Sequence, residues 1–142
     1  MLLNANAARA SGTLVAALVL AFAAGFASAH HSFAAEFDIN QPIRLRGEVI
    51  RMELTNPHSW IYLRVTTDSG EVQEWAIEGG APNALIRRGW NRNSLPPGTE
   101  VTVLGYRARD GSNTANGGSV TLPDGSTLFV GSTGIGAPSA EQ

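Results

Sequence analysis

The sequence predicts an all-β domain interrupted by one short helix, and three observations carry that reading. Between residues 43 and 130, apolar and polar residues alternate in segment after segment, the period of half-buried strands. Short turn signals separate the segments, as in "DSG" (Asp68–Gly70), "LPPGT" (Leu95–Thr99) and "PDG" (Pro123–Gly125). One stretch, "GGAPNALIRRGW" (Gly79–Trp90), breaks the alternation. Pro82 suits a first helical position and Gly89 a stop, which predicts a helix over Pro82–Arg88 with Leu85 and Ile86 facing inward.

The first strand is "IRLRGEVIRMEL" (Ile43–Leu54). Ile43, Leu45 and Val49 share one phase, whereas Ile50, Met52 and Leu54 share the other. The change at Val49–Ile50 predicts a bulge or sharp bend, with Gly47 close by to permit it. "HSWIYLRVT" (His58–Thr66) is the second strand, with Ile61, Leu63 and Val65 inward. "EVQEWAIE" (Glu71–Glu78) is the third and "EVTVLGYRA" (Glu100–Ala108) the fourth. "GGSVTL" (Gly117–Leu122) and "STLFV" (Ser126–Val130) complete the sheet. Trp75 and Trp90 read as core and helix-packing residues.

Three strands, a helix, then further strands is the order of a small closed Greek-key barrel of the OB-fold type, and the bent first strand suits such a barrel. In that architecture ligands meet the face of strands two and three and the loops joining strands one to two and four to five. Those loops are expected here as "TNPHS" (Thr55–Ser59) and "RDGSNTANGG" (Arg109–Gly118), brought together at one end.

Residues 1–29 read as a secretory signal peptide. Arg9 precedes an apolar run with no acid before it, and Ala27-Ser28-Ala29 offers the small–x–small pattern of a cleavage site. A cut after Ala23 is the alternative. The run is shorter than the roughly 20 residues of a spanning helix and no basic cluster follows it. Cleavage after Ala29 leaves His30 first. An extended arm (residues 30–42), the barrel domain (residues 43–130) and a flexible Gly-rich tail (residues 131–142) then follow. The chain has no cysteine, so packing alone must hold the domain. Its ten basic residues are all Arg, set against twelve acids; this balance argues against a polyanion binder, which would show a basic stripe.

"AHHSFAAEFD", "TNPHSWIYL", "EWAIEGGAPNALIRRGW", "LPPGTEVTV" and "DGSNTAN…TLPDG", in this order, resemble the domain of unknown function 6152 family, small exported bacterial proteins. The resemblance spans essentially all of the chain after the leader. It implies export and a small β domain, and brings no established activity.

Three sets of residues carry chemistry. An N-terminal His30 would offer its α-amine and ring Nδ1 to one metal. A second imidazole, from His58 or alternatively from His31, would complete a nitrogen set suited to Cu(II). The plainer reading makes His58 a hydrogen-bond partner of the Asn56-Pro57 turn. The face of Trp60 and Tyr62 with Glu74 and Glu78 could hold a ligand by stacking, as exposed aromatics bind sugars or bases on such sheets, although the acids disfavour a nucleic-acid backbone. Asn56 in the first of the two loops and Asp110, Asn113 and Asn116 in the second join His58, Trp60 and Tyr62 in the expected ligand-binding set. The second loop is oxygen-rich but lacks the ligand ladder of a calcium site, and the plainer reading makes its residues turn formers.

Catalytic patterns are incomplete. There is no G-x-S-x-G elbow, Glu74 and Glu78 have little cleft for glycoside chemistry, and Gly79-Gly80 lacks the lysine of a phosphate loop. The expected protein is an exported periplasmic or secreted binding or accessory module. It would take a small-molecule ligand or a periplasmic protein partner, with no nucleic acid and no membrane anchor after cleavage. The alternative is a copper-binding protein built on His30 and His58.

Overall fold

The computed structural model describes residues 33–131. The leader, His30, His31 and the tail beyond Gly131 lie outside the described residues. Residues 33–36 are helical. The rest is mostly β: β1 (Phe37–Leu54), β2 (Ser59–Thr66), β3 (Val72–Glu78), β4 (Glu100–Ala108), β5 (Thr114–Thr121) and β6 (Thr127–Phe129), with α1 (Pro82–Arg87) between β3 and β4.

The strands form one sheet in the order β3-β2-β1-β4-β5-β6 with antiparallel neighbours. A further parallel pairing of β3 with β5 joins Ala76 to Thr114 and Glu78 to Asn116. Strands β1 to β5 therefore close into a ring, and β6 extends it from β5. The apolar phases of the strands meet inside: Val49, Ile61, Leu63, Ile77, Val103, Ala115 and Val120 are all at most 1% exposed and share one core cluster.

β1 starts at Phe37 rather than Ile43, because Phe37 pairs with Ala108 and Pro42 with Tyr106 across a register break. Pro42 lacks an N–H for the ladder, and the polar run around it is exposed, so the alternation that marks a strand is missing there. The bend expected at Val49–Ile50 is present. Val49 faces Leu63 and Arg51 faces Tyr62, leaving Ile50 as the extra residue. Gly47 is required nearby, since a Cβ there would lie 2.6 Å from the Arg64 carbonyl oxygen.

α1 ends as its sequence indicates. The Gly89 N–H bonds to the Ile86 carbonyl at 3.0 Å and the Trp90 N–H to that of Leu85 at 3.1 Å, with Gly89 at φ +93°. Leu85 is fully buried beside Pro82, but Ile86 is 54% exposed and corrects the inward placement expected for it. A helix this short packs one face, and each residue turns about 100° from the last, so Pro82 and Leu85 use that face and Ile86 leaves it. Trp90 donates its indole N–H to the Phe129 carbonyl at 3.0 Å and Arg88 reaches that of Gly131 at 3.0 Å, which ties the helix end to β6.

Candidate functional site

The outer face of β2 is built from cross-strand rows. Trp60 lies between Glu53 of β1 and Glu78 of β3, and Tyr62 between Arg51 and Ala76. The Trp60 and Tyr62 rings are 6.4 Å apart at 27°, an offset stack. The Arg51 guanidinium lies 3.5 Å from the centre of the Tyr62 ring, and its Nε donates to Glu53 Oε1 at 2.8 Å. Both aromatic rings are half-buried, leaving part of each open.

His58 closes the end of this face. Its Nδ1 lies 2.9 Å from Glu78 Oε1, and its side chain is 38% exposed whereas that of Glu78 is 9% exposed. The pair forms because β2 and β3 place Trp60 opposite Glu78, and the chain enters β2 at Ser59, one step past His58. The Ser59 N–H bonds to the Gly80 carbonyl at 3.0 Å and the Gly79 N–H to that of Ser59 at 2.8 Å.

Burial pushes the Glu78 carboxyl above its ordinary range. The nearby His58 opposes this with its charge and hydrogen bond, while the like charge of Glu36 adds to it. With Glu78 ionised, the imidazole donates Nδ1–H to the carboxylate, and Nε2 of the neutral ring is left to accept. This is the arrangement by which a carboxylate orients a histidine toward a ligand or metal.

Asn116 belongs to the same row. It pairs with Glu78 on one side and Tyr106 on the other and is buried. It sits in β5 and not in a loop, because β5 begins at Thr114 rather than Gly117. The β4–β5 loop thereby shrinks to Arg109–Asn113. The two loops also do not share an end. Residues 55–58 lie beyond the C-terminal end of β3, whereas the Asn113 carbonyl accepts the Ala76 N–H at 2.9 Å, alongside the strand's middle.

Asp110 is spent on its own turn, accepting the Ser112 N–H at 2.9 Å; that hydrogen bond holds its carboxyl below the usual range. Asn56, in a cis peptide bond with Pro57, is exposed in the β1–β2 loop. The expected ligand set thus divides. His58, Trp60, Tyr62 and Asn116 lie on the β2–β3–β5 face around Glu78, Asn56 stands in the loop at one end, and Asp110 and Asn113 shape the other.

Glu78 is the residue whose role sequence reasoning missed. Its phase put it on the open aromatic face, but it is buried and held by His58. Glu53 and Arg51 also escaped notice, though their alternation on β1 marks them as facing Trp60 and Tyr62. Ser59 Oγ, one residue from His58 on the inward phase, is buried with no hydrogen-bond partner. Leaving such a hydroxyl unsatisfied costs about 1–3 kcal/mol. Among the described residues, no group of three or more His, Asp or Glu side chains is placed to hold a metal ion. None of the described helices is long and apolar enough to cross a membrane.

No curated protein and no solved structure matches the chain. A model of a family of unknown function (DUF6152) matches residues 17–117, a span that holds His58, Trp60, Tyr62, Glu78 and Asn116. With most of its length matched, the chain belongs to this family of unknown function.

Proposed function

We propose that the protein is a small exported, non-catalytic binding module that takes its ligand on the outer face of β2 and β3. The strand ring is read as an OB-fold-like Greek-key barrel. The ring order, the helix between β3 and β4 and the parallel β3–β5 pairing support that reading. Ligands of such barrels meet this face. The observation that carries the proposal is the His58–Glu78 pair at 2.9 Å beside the stacked Trp60 and Tyr62. Burying a carboxylate is costly, and this one orients a half-exposed imidazole at the edge of an open aromatic surface.

Amide shift mapping by NMR tests this, using separate additions of neutral saccharides, polyamines and dicarboxylates. Shifts gathered on His58, Trp60, Tyr62 and Glu78 would support the face; shifts gathered elsewhere would contradict it. Export to the periplasm or medium with cleavage before His30 is tested by intact mass of the recovered protein, which should begin at His30 and not at Ala24.

The copper reading is kept because Glu78 holds Nδ1 and leaves Nε2 of His58 as the ligating nitrogen. The remaining nitrogens would come from the α-amine and ring of His30. Cu(II) titration of native-start, one-residue-extended and His58→Ala proteins decides it. Loss of affinity in both altered proteins supports the reading, and equal affinity in all three refutes it.

A further inference from the structure

In the cross-strand rows of Trp60 and Tyr62, each charged side chain already has a partner from the chain itself. Arg51 pairs with Glu53 at 2.8 Å and His58 with Glu78 at 2.9 Å. Arg51 also covers Tyr62, supplying the cation that this ring would otherwise take from a ligand. What remains for an incoming molecule is the partly open ring of Trp60, flanked in its row by two carboxylates, and the Nε2 edge of His58.

Such a face has little to offer a charged ligand. A polyanion would approach two carboxylates with no free basic group beside them. An organic cation would have to displace Arg51 from both Glu53 and Tyr62. A ligand that is uncharged, presents C–H groups on one flat side and carries hydroxyls around its rim meets both demands. The C–H groups lie on the electron-rich ring, and the hydroxyls donate to the lone pairs that the exposed Glu53 carboxylate keeps free of Arg51 and to Nε2 of His58.

From this geometry we infer that the protein binds a neutral saccharide, stacked on Trp60 and hydrogen-bonded at its rim by Glu53 and His58. The inference rests on the binding face proposed above and specifies the class of ligand for it.

Trp60 makes the test direct. Trp75 and Trp90 are 6% and 2% exposed, so a change in tryptophan emission on ligand addition reports chiefly on Trp60. The probes are cellohexaose, chitohexaose, maltohexaose and xylohexaose, with spermine and polyphosphate as cationic and anionic comparators, each raised to millimolar concentration and confirmed by calorimetry. At least one hexasaccharide should bind. Trp60→Ala should weaken it tenfold or more, with circular dichroism unchanged, and Trp60→Phe should recover part of the loss. Arg51→Gln, which frees Glu53, should raise the affinity for spermine.

Binding of spermine or polyphosphate by the unaltered protein, with no saccharide bound, would overturn the saccharide class and leave the face standing. Saccharide binding undiminished in Trp60→Ala would overturn the assignment to this face. Silence toward all six probes would overturn the inference outright.

Discussion

Leu85 and Ile86 are adjacent in α1, yet one is fully buried and the other 54% exposed, so truncating each to alanine gives a paired test of how the helix sits. Leu85→Ala removes three buried carbons from a cluster that also contains Trp90, Leu95 and Val130. Such truncations cost about 2–5 kcal/mol, the spread reflecting how far the site collapses. A helix of six residues can shift a little to fill the space, so about 3 kcal/mol is expected here. With a urea slope of about 1.5 kcal/mol per molar, the midpoint should fall by about 2 M. Ile86→Ala loses little packing and gains helix propensity, and should stay within about 0.5 kcal/mol of the parent. The assay is urea unfolding followed by tryptophan emission and far-ultraviolet circular dichroism. Equal losses at the two positions, or a Leu85→Ala cost below about 0.5 kcal/mol, would refute the docking of α1 into the ring.

Two further outcomes are expected. A Cβ at Gly105 would stand 2.2 Å from the Asn116 carbonyl oxygen, a backbone atom that cannot swing away, so Gly105→Ala should part β4 from β5 and cost about 1–3 kcal/mol in the same melts. The raised Glu78 pKa means that the folded state holds this proton more tightly than the unfolded chain, so its contribution is fully present below the unfolded value and is lost as pH rises through the folded one. Glu78→Gln removes that term; the variant should gain stability relative to the parent as pH rises across this window, and a difference independent of pH would contradict the sign.

Where a strand has one wet face and one dry face, its residues announce it. β4 runs over Glu100–Ala108 as its alternation indicates, and the phase change at Val49–Ile50 marks the β1 bulge. Pro82 and Gly89 bracket α1 because each acts through its own backbone. The signal failed where tertiary pairing overrides local pattern. Phe37–Pro42 pairs with β4 despite a proline and a polar run, and Ala115 and Asn116 join both β3 and β4 although Asn116 reads as a turn former. Ile86 was misplaced because a two-turn helix offers too few residues to define its buried face. His58, Trp60 and Tyr62 could be placed on one face from phase alone. The tie to Glu78 could not, because it depends on the β2–β3 register and on burial that local composition does not encode.

The account turns on Glu78 holding His58 with one nitrogen turned outward. Nitrogen-15 NMR of the imidazoles at mildly alkaline pH measures this directly, with His58→Gln identifying the resonance. His58 should be the Nδ1–H tautomer with an unprotonated Nε2, and Glu78→Ala should return it to the tautomer mixture of a free imidazole. An Nε2–H tautomer in the parent, or a spectrum unaltered by Glu78→Ala, would contradict the site.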